Sequence, residues 1–416
     1  MNHTLKITAL CVCAGMPALP SAAQTSVPGA VVPGIEVFLE SPPAALVGKR
    51  LGLITNQTGV DRQGRSIIDL LKASPHVQLV ALFAAEHGIR GDIPPGGEVN
   101  DERDSSGLPV YSIYGGDNTP TQQMLEGLDA LLYDMQDLGV RQYTTESTML
   151  LAMQACKEKG IPFVVLDRPN PVTGEIFEGN VLEPGFENFI GIGPVSSRHG
   201  LTMGELARFY NAELKVGAEL IVVPMRGWKR NMWLEDTGLP WVKTSPNIYR
   251  AETAVHYPGT VYFEATNVAE SRGSDMPFEQ VGAPWMKAAD VAAAMNAMNL
   301  PGVRFEARDY PIAQGYRKYP GQTVHGVRLV VTDRRSYRPL RASLLLMDVI
   351  RKLHPADFKF SSAEFDRGTG YSIERHAGTT KLVAAFEAGT LSALLDDWDR
   401  QAQAFAEKSK PYLLYE

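Results

Sequence analysis

Hydrophobic positions along this chain fall into two alternating patterns. Short continuous apolar runs, within "KRLGLITNQTGV", "HVQLVALF", "DALLYDMQDLG", "IPFVVLDRPNP" and "AELIVVPMRGW", are separated by segments whose apolar residues recur every three or four positions, such as "SIIDLLKAS", "STMLLAMQACKEKG" and "LTMGELARFYNAEL". The runs read as strands buried on both faces, the others as amphipathic helices. Thr119 and Pro120 suit a helix start at "TPTQQMLEGL", and Gly160 suits a helix stop. This alternation predicts a doubly wound, Rossmann-like α/β domain with a mostly parallel sheet. Ligands of such sheets sit beyond the carboxyl ends of the strands. The polar ends "TNQTG", "AAEHGIRG", "DMQDLGVRQY" and "LDRPNP" are therefore expected at one rim.

The texture changes near residue 250. "HYPGTVYFEATNVAESRGSDMPFEQVGAPW" reads as a long glycine- and proline-rich loop, followed by a helix ("KAADVAAAMNAM"), a strand ("VHGVRLVVTD"), a helix ("RPLRASLLLMDVIRKLHP") and an amphipathic tail. This predicts a smaller α+β domain over 251–416 that closes an interdomain cleft against a domain over 24–250. Residues 1–23 have the layout of a secretory signal peptide: Lys6, an apolar run from Ile7 to Met16, then Ser21-Ala22-Ala23. Export to the periplasm or the medium is expected, with no membrane anchor after cleavage. Cys156 is then the remaining cysteine and reads as a small buried hydrophobe.

Composition narrows the function. The chain has 416 residues, 44% of them hydrophobic, and a formal charge of -7, so there is core to bury and no basic footprint for nucleic acid. No G-x-G-x-x-G opens a helix, and there is no phosphate-loop lysine, no G-x-S-x-G elbow and no paired histidine spacing. No metal and no organic cofactor are expected, and oligomeric state is not legible.

The chemistry gathers at the strand ends. Glu86 stands in a glycine-rich turn directly after an apolar strand. A carboxyl that is partly desolvated in such a place suits proton donation. The competing reading pairs it with Arg90 as a structural turn lock. Asp134, Asp137 and Arg141 follow "ALLY", and Asp167 and Arg168 end "FVVL". Glycosidic hydrolysis uses two carboxyl groups, so converging acids suit it, although turn capping is an equal use for Asp134 and Asp137. Arg168, Arg198 and Arg272, in loops beside proline or glycine, are of the type that grips a substrate carboxylate. A sugar-binding protein without turnover and a hydrolase of amide or ester bonds are the alternatives.

Taken in order, "GLITNQTGVD", "LFAAEHGIRG", "SGLPVYSIYG", "DMQDLGVRQYTT", "LDRPNP", "RHGLTMGELA", "TGLPWVKTSPN" and "FEATNVAESRG…PFEQVGAPW" resemble the exo-β-N-acetylmuramidase family. The resemblance implies a Rossmann-like domain, a smaller carboxyl-terminal domain and a cleft between them that takes muramoyl-containing peptidoglycan fragments. It implies that Glu86 is the central catalytic residue, with a second acid from Asp134, Asp137, Asp167, Glu264 or Glu270. Asn56, His87, Arg90, Arg141, Asp167, Arg168, Arg198, His199, Asn247, Asn267, Glu270 and Arg272 are expected to bind substrate, one arginine meeting the lactyl carboxylate. Two departures fall in the "EATNVAESRGSD" loop, where Ala265 and Ser271 stand at positions usually glycine in the family.

Overall fold

A computed structural model describes residues 30–94, 96–105, 107–361 and 372–416; the predicted signal peptide lies outside them. The first domain contains β1 (Arg50–Thr55), β2 (Gln78–Ala84), β3 (Glu102–Arg103), β4 (Pro109–Ser112), β5 (Ala130–Asp134), β6 (Phe163–Leu166), β7 (Glu178–Val181), β8 (Ser196–Arg198) and β9 (Leu220–Val223). Seven of these form one sheet in the order β3-β4-β2-β1-β5-β6-β9, parallel except for the short edge strand β3. Alternate residues feed two cores, as a pleated strand requires. Leu51, Leu53, Leu82 and Leu132 face α1 (Gly34–Glu40) and α2 (Ile67–Ala73). Ile54, Phe83, Leu131 and Phe163 face α3 (Thr144–Lys159) and α4 (Met203–Glu213). Both helices are terminated as their sequences suggest: α3 stops at Gly160 with φ 75°, and α4 opens on a Thr202/Glu205 capping box.

The second domain is built around α5 (Ala251–Thr260), β10 (Gln280–Ala283), α6 (Ala288–Ala297), β11 (Val303–Pro311), β12 (Thr323–Val331) and α7 (Pro339–Leu353), and its core continues into first-domain residues such as Leu138, Val172 and Trp233. Its three strands form an antiparallel sheet in the order β10-β12-β11. The chain ends with α8 (Ile373–Ala377), α9 (Lys381–Ala388) and α10 (Leu391–Ser409). The tail does not stay with the second domain. Phe405 packs edge-on against Phe209 at 5.3 Å, and the Tyr415 hydroxyl donates to Asp167 at 2.6 Å in the first. Among the described residues no helix is long and apolar enough to cross a membrane.

Three local expectations are corrected. The helix expected at "TPTQQMLEGL" is a set of turns ending at Gly127, whose φ of 77° stops the chain from coiling further. Residues 256–260, read as the start of a long glycine- and proline-rich loop, belong to α5 (251–260). Crossing of α7 explains the glycine: a Cβ on Gly259 would lie 2.0 Å from the Pro339 carbonyl oxygen. Strand β11, absent from the sequence reading, alternates buried and outward residues too irregularly to stand out.

His256 on α5 is sealed in this second core beside Tyr337. Burial pushes its pKa down from 6.5 to about 3, with Arg328 and Arg250 adding in the same direction. Between those values the unfolded chain binds a proton that the native state refuses. Stability is therefore held above pH 6.5 and lost as the pH falls toward 3. Urea midpoints measured from pH 7 downward should fall less steeply for His256→Gln than for the parent chain. Equal slopes would remove His256 from the acid response.

Candidate active site

The strand order reverses between β1 and β5, and a cavity of about 480 Å³ opens there at the carboxyl ends of the strands. Asn56 follows β1, Glu86 and His87 follow β2, Tyr114 follows β4, and Gln142 to Thr145 follow β5. The second domain supplies Tyr257, Glu264, Glu270, Arg272, Phe278, the 314–318 loop and His376. The expected rim thus forms from three of the four polar strand ends. No residue of "LDRPNP" lines the cavity.

Glu86 is half-buried at the cavity wall, and both of its oxygens are held. The Tyr114 hydroxyl donates to Oε1 at 3.0 Å and the Thr144 hydroxyl to Oε2 at 2.8 Å. The turn that carries it is strained: His87 has φ 71°, sparsely populated for a residue with a Cβ, and its Nδ1–H donates to the Ile93 carbonyl at 2.7 Å. Arg90 does not lock this turn. It is exposed, donates to the Ser105 hydroxyl at 3.2 Å, and lies off the cavity lining.

Facing this wall, Arg272 bridges two acids, reaching Glu264 at 2.5 Å and Glu270 at 3.5 Å. Lys318 donates to Glu270 at 2.7 Å and to the carbonyls of Phe263 and Val268, so its three protons are all used. Burial opposes ionisation of Glu264, but Arg272 and His376 outweigh it and hold its pKa down at about 2. Glu270 is lowered in the same way by Lys318 and Arg272 against its burial. The charge of Glu86 adds to those of Glu264 and Glu270 in keeping Arg272 protonated, which ties the two walls into one electrostatic unit.

Other expected site residues lie elsewhere. Asp134 is fully buried in an ion pair with Arg168, whose Nη2 reaches it at 3.0 Å. Asp137 accepts the Gly139 amide and the Thr145 hydroxyl. Asp167 accepts the Thr202 and Tyr415 hydroxyls and the Gly204 amide. Arg141 spends its guanidinium on the carbonyls of Asn180, Val195 and Ala377. Arg198 sits against Glu178 at 3.4 Å and under Trp233. Asn267 is used up in the backbone of the 357–359 segment. None of these lines the cavity; each is committed to partners elsewhere. Of the three arginines expected to grip a carboxylate, only Arg272 reaches the cavity, and two glutamates already neutralise it.

Asp137, Glu146 and His199 are the one group of metal-ligand types that converges among the described residues, with their ligand atoms within 4.8 Å. The ring does not fit a metal. His199 Nδ1 accepts the Leu201 amide at 3.1 Å, so its proton sits on Nε2, which points at Glu146 Oε1 3.1 Å away. No lone pair is left for an ion. This buried network ties the β5 loop to α3 and α4 and stands outside the cavity.

Two family models match the chain: "Exo-beta-N-acetylmuramidase NamZ, N-terminal" over residues 51–252 and "Exo-beta-N-acetylmuramidase NamZ, C-terminal" over residues 255–415. The chain belongs to the exo-β-N-acetylmuramidase NamZ family. A curated relative, the peptidoglycan β-N-acetylmuramidase NamZ of Bacillus subtilis, is 42% identical over 394 residues, spanning 94% of this chain and 93% of the relative. Two solved DUF1343 family proteins of Bacteroides fragilis share the fold. One has a TM-score of 0.85 at 36% identity, the other 0.72 at 26%, and each alignment covers 93% of this chain and 99% of the other.

The departures within the "EATNVAESRGSD" loop now have a physical reading. Ser271 adopts φ 65°, the left-handed conformation that glycine takes without strain, and its hydroxyl bonds the Tyr310 hydroxyl. The loop keeps a glycine-like path at this position. Ala265 is fully buried at the end of a short helical turn and is not in the left-handed region.

Sequence reasoning missed Tyr114, Thr144, Lys318 and His376. Tyr114 and Thr144 become visible only when β4 and α3 close on the β2 turn. Lys318 and His376 lie 48 and more than 100 residues from the glutamates they serve.

Proposed function

We propose that the protein is an exo-acting glycoside hydrolase that releases terminal N-acetylmuramic acid from peptidoglycan fragments, with Glu86 as general acid/base. Family membership supports the reaction class. The arrangement of acids supports the division of labour: among the cavity's glutamates, Glu264 and Glu270 are pinned in ionised form by cations, whereas Glu86 is held by two neutral hydroxyls and can exchange a proton. Glu264 or Glu270 then serves as the anionic partner that oxocarbenium-like chemistry needs. No reaction step is assigned to Asp134, Asp137 or Asp167. The leader-like residues 1–23 support action outside the cytoplasm.

Incubation with a chromogenic β-N-acetylmuramoyl glycoside should release the aglycone, and peptidoglycan fragments should lose muramic acid from the non-reducing end only. Saturable binding with no release would make the protein a sugar-binding module instead. The two hydroxyls that hold Glu86 carry a smaller prediction. Tyr114→Phe and Thr144→Val each remove one hydrogen bond of about 1 kcal/mol, so kcat/KM should fall by roughly five- to tenfold in each. Unchanged kinetics in both would show that Glu86 does not depend on them.

A further inference from the structure

The Ser245–Asn247 turn carries a polar group for which the described residues supply no partner. Asn247 is 3% exposed and lines the cavity, yet its Oδ1 is buried without a donor and its Nδ2 has no acceptor among the described residues. Its backbone is fixed, with the amide N–H on the Ser245 hydroxyl at 3.4 Å and the next residue turned back onto the Ser245 carbonyl at 3.2 Å. Buried side-chain amides are nearly always satisfied at both ends. Here the turn holds the amide rigid at the cavity wall and leaves both ends to a ligand.

The surroundings narrow what that ligand group is. The Tyr143 ring stands edge-on to Tyr257 at 5.8 Å, and Tyr257 in turn packs on Phe278 at 4.9 Å. All three rings line the cavity. The same cavity therefore offers a planar donor–acceptor pair together with an aromatic surface. A carboxylate would use only the donor. A lone hydroxyl would leave the aromatic face bare. A secondary amide ending in a methyl group matches all of it: its N–H meets Oδ1, its carbonyl meets Nδ2, and the methyl lies on the rings.

We infer that Asn247 is a specificity-determining residue that reads the 2-acetamido group of the sugar, the aromatic wall taking the acetyl methyl. This rests on the proposed muramidase reaction and names the recognition element within it. The site is built to bond an amide, so a substrate lacking the amide leaves polar groups unpaired and is rejected.

The test compares kcat/KM for a chromogenic β-muramoyl glycoside carrying the 2-acetamido group with that for its 2-hydroxy counterpart. The parent protein should prefer the acetamido substrate by roughly a hundredfold or more, and Asn247→Ala should shrink that ratio by about tenfold or more. Asn247→Asp keeps the size and an acceptor but loses the donor, so it should also narrow the ratio; it serves if the alanine variant fails to fold. A variant that slows both substrates equally and keeps the ratio overturns the assignment. A parent protein that cleaves neither substrate overturns the muramidase reading itself, and the assignment falls with it.

Discussion

Glu86→Gln should fold like the parent protein and lose about 10²- to 10⁴-fold in kcat on a β-N-acetylmuramoyl glycoside, the usual contribution of a positioned acid/base group. Glutamine keeps the shape; its oxygen can accept one of the Tyr114 and Thr144 hydroxyls, which reach the two carboxylate oxygens at 3.0 and 2.8 Å, and its NH2 can donate to the oxygen of the other. It cannot exchange a proton, so the loss reports chemistry and not collapse of the turn. KM should change little, because a residue whose role is confined to the transition state contributes mainly to kcat. The comparison should include Glu264→Gln and Glu270→Gln. Both leave Arg272 with one carboxylate in place of two, so each should lower activity while also disturbing the wall. Near-parental kcat in Glu86→Gln would transfer the proton-transfer role to another group in the cavity.

The largest stability effect should come from the Asp134–Arg168 pair. Asp134 ends β5 with 0% exposure, and Arg168 just beyond β6 is 6% exposed, so the pair joins two central strands behind the cavity. Burial raises the pKa of Asp134 and Arg168 pulls it back, which means that the pair itself adds little over an apolar filling. Removing one partner is different, because it strands a charge in the core. Arg168→Met or Asp134→Leu alone should cost about 3–5 kcal/mol in chemical denaturation, whereas the double replacement should recover a large part of that. Strictly additive losses would mean that the two groups do not compensate each other.

Much of the frame was legible in the sequence. Continuous apolar runs alternating with amphipathic segments announce a covered parallel sheet, since only such strands are buried on both faces. The position of Glu86 followed from the same logic: it comes directly after β2, and the strand's carboxyl end faces the cavity. Asp134, Asp137 and Asp167 obey the same sequence rule but do not reach the cavity. Each stands at or just beyond a strand end like Glu86, and what separates them is full burial among polar partners away from the cavity. Arg168 claims Asp134, Thr145 claims Asp137, and Thr202 and Tyr415 claim Asp167.

Periodicity and turn chemistry are local, so the sequence by itself determined the layered α/β frame and the strand that delivers Glu86, while its ordered motifs carried the resemblance to the family. The tertiary structure alone decided which charged groups are spent in the interior and which are left facing the cavity. A buried carboxylate or guanidinium must find a compensating group, and that group comes from wherever the fold brings one within about 3 Å.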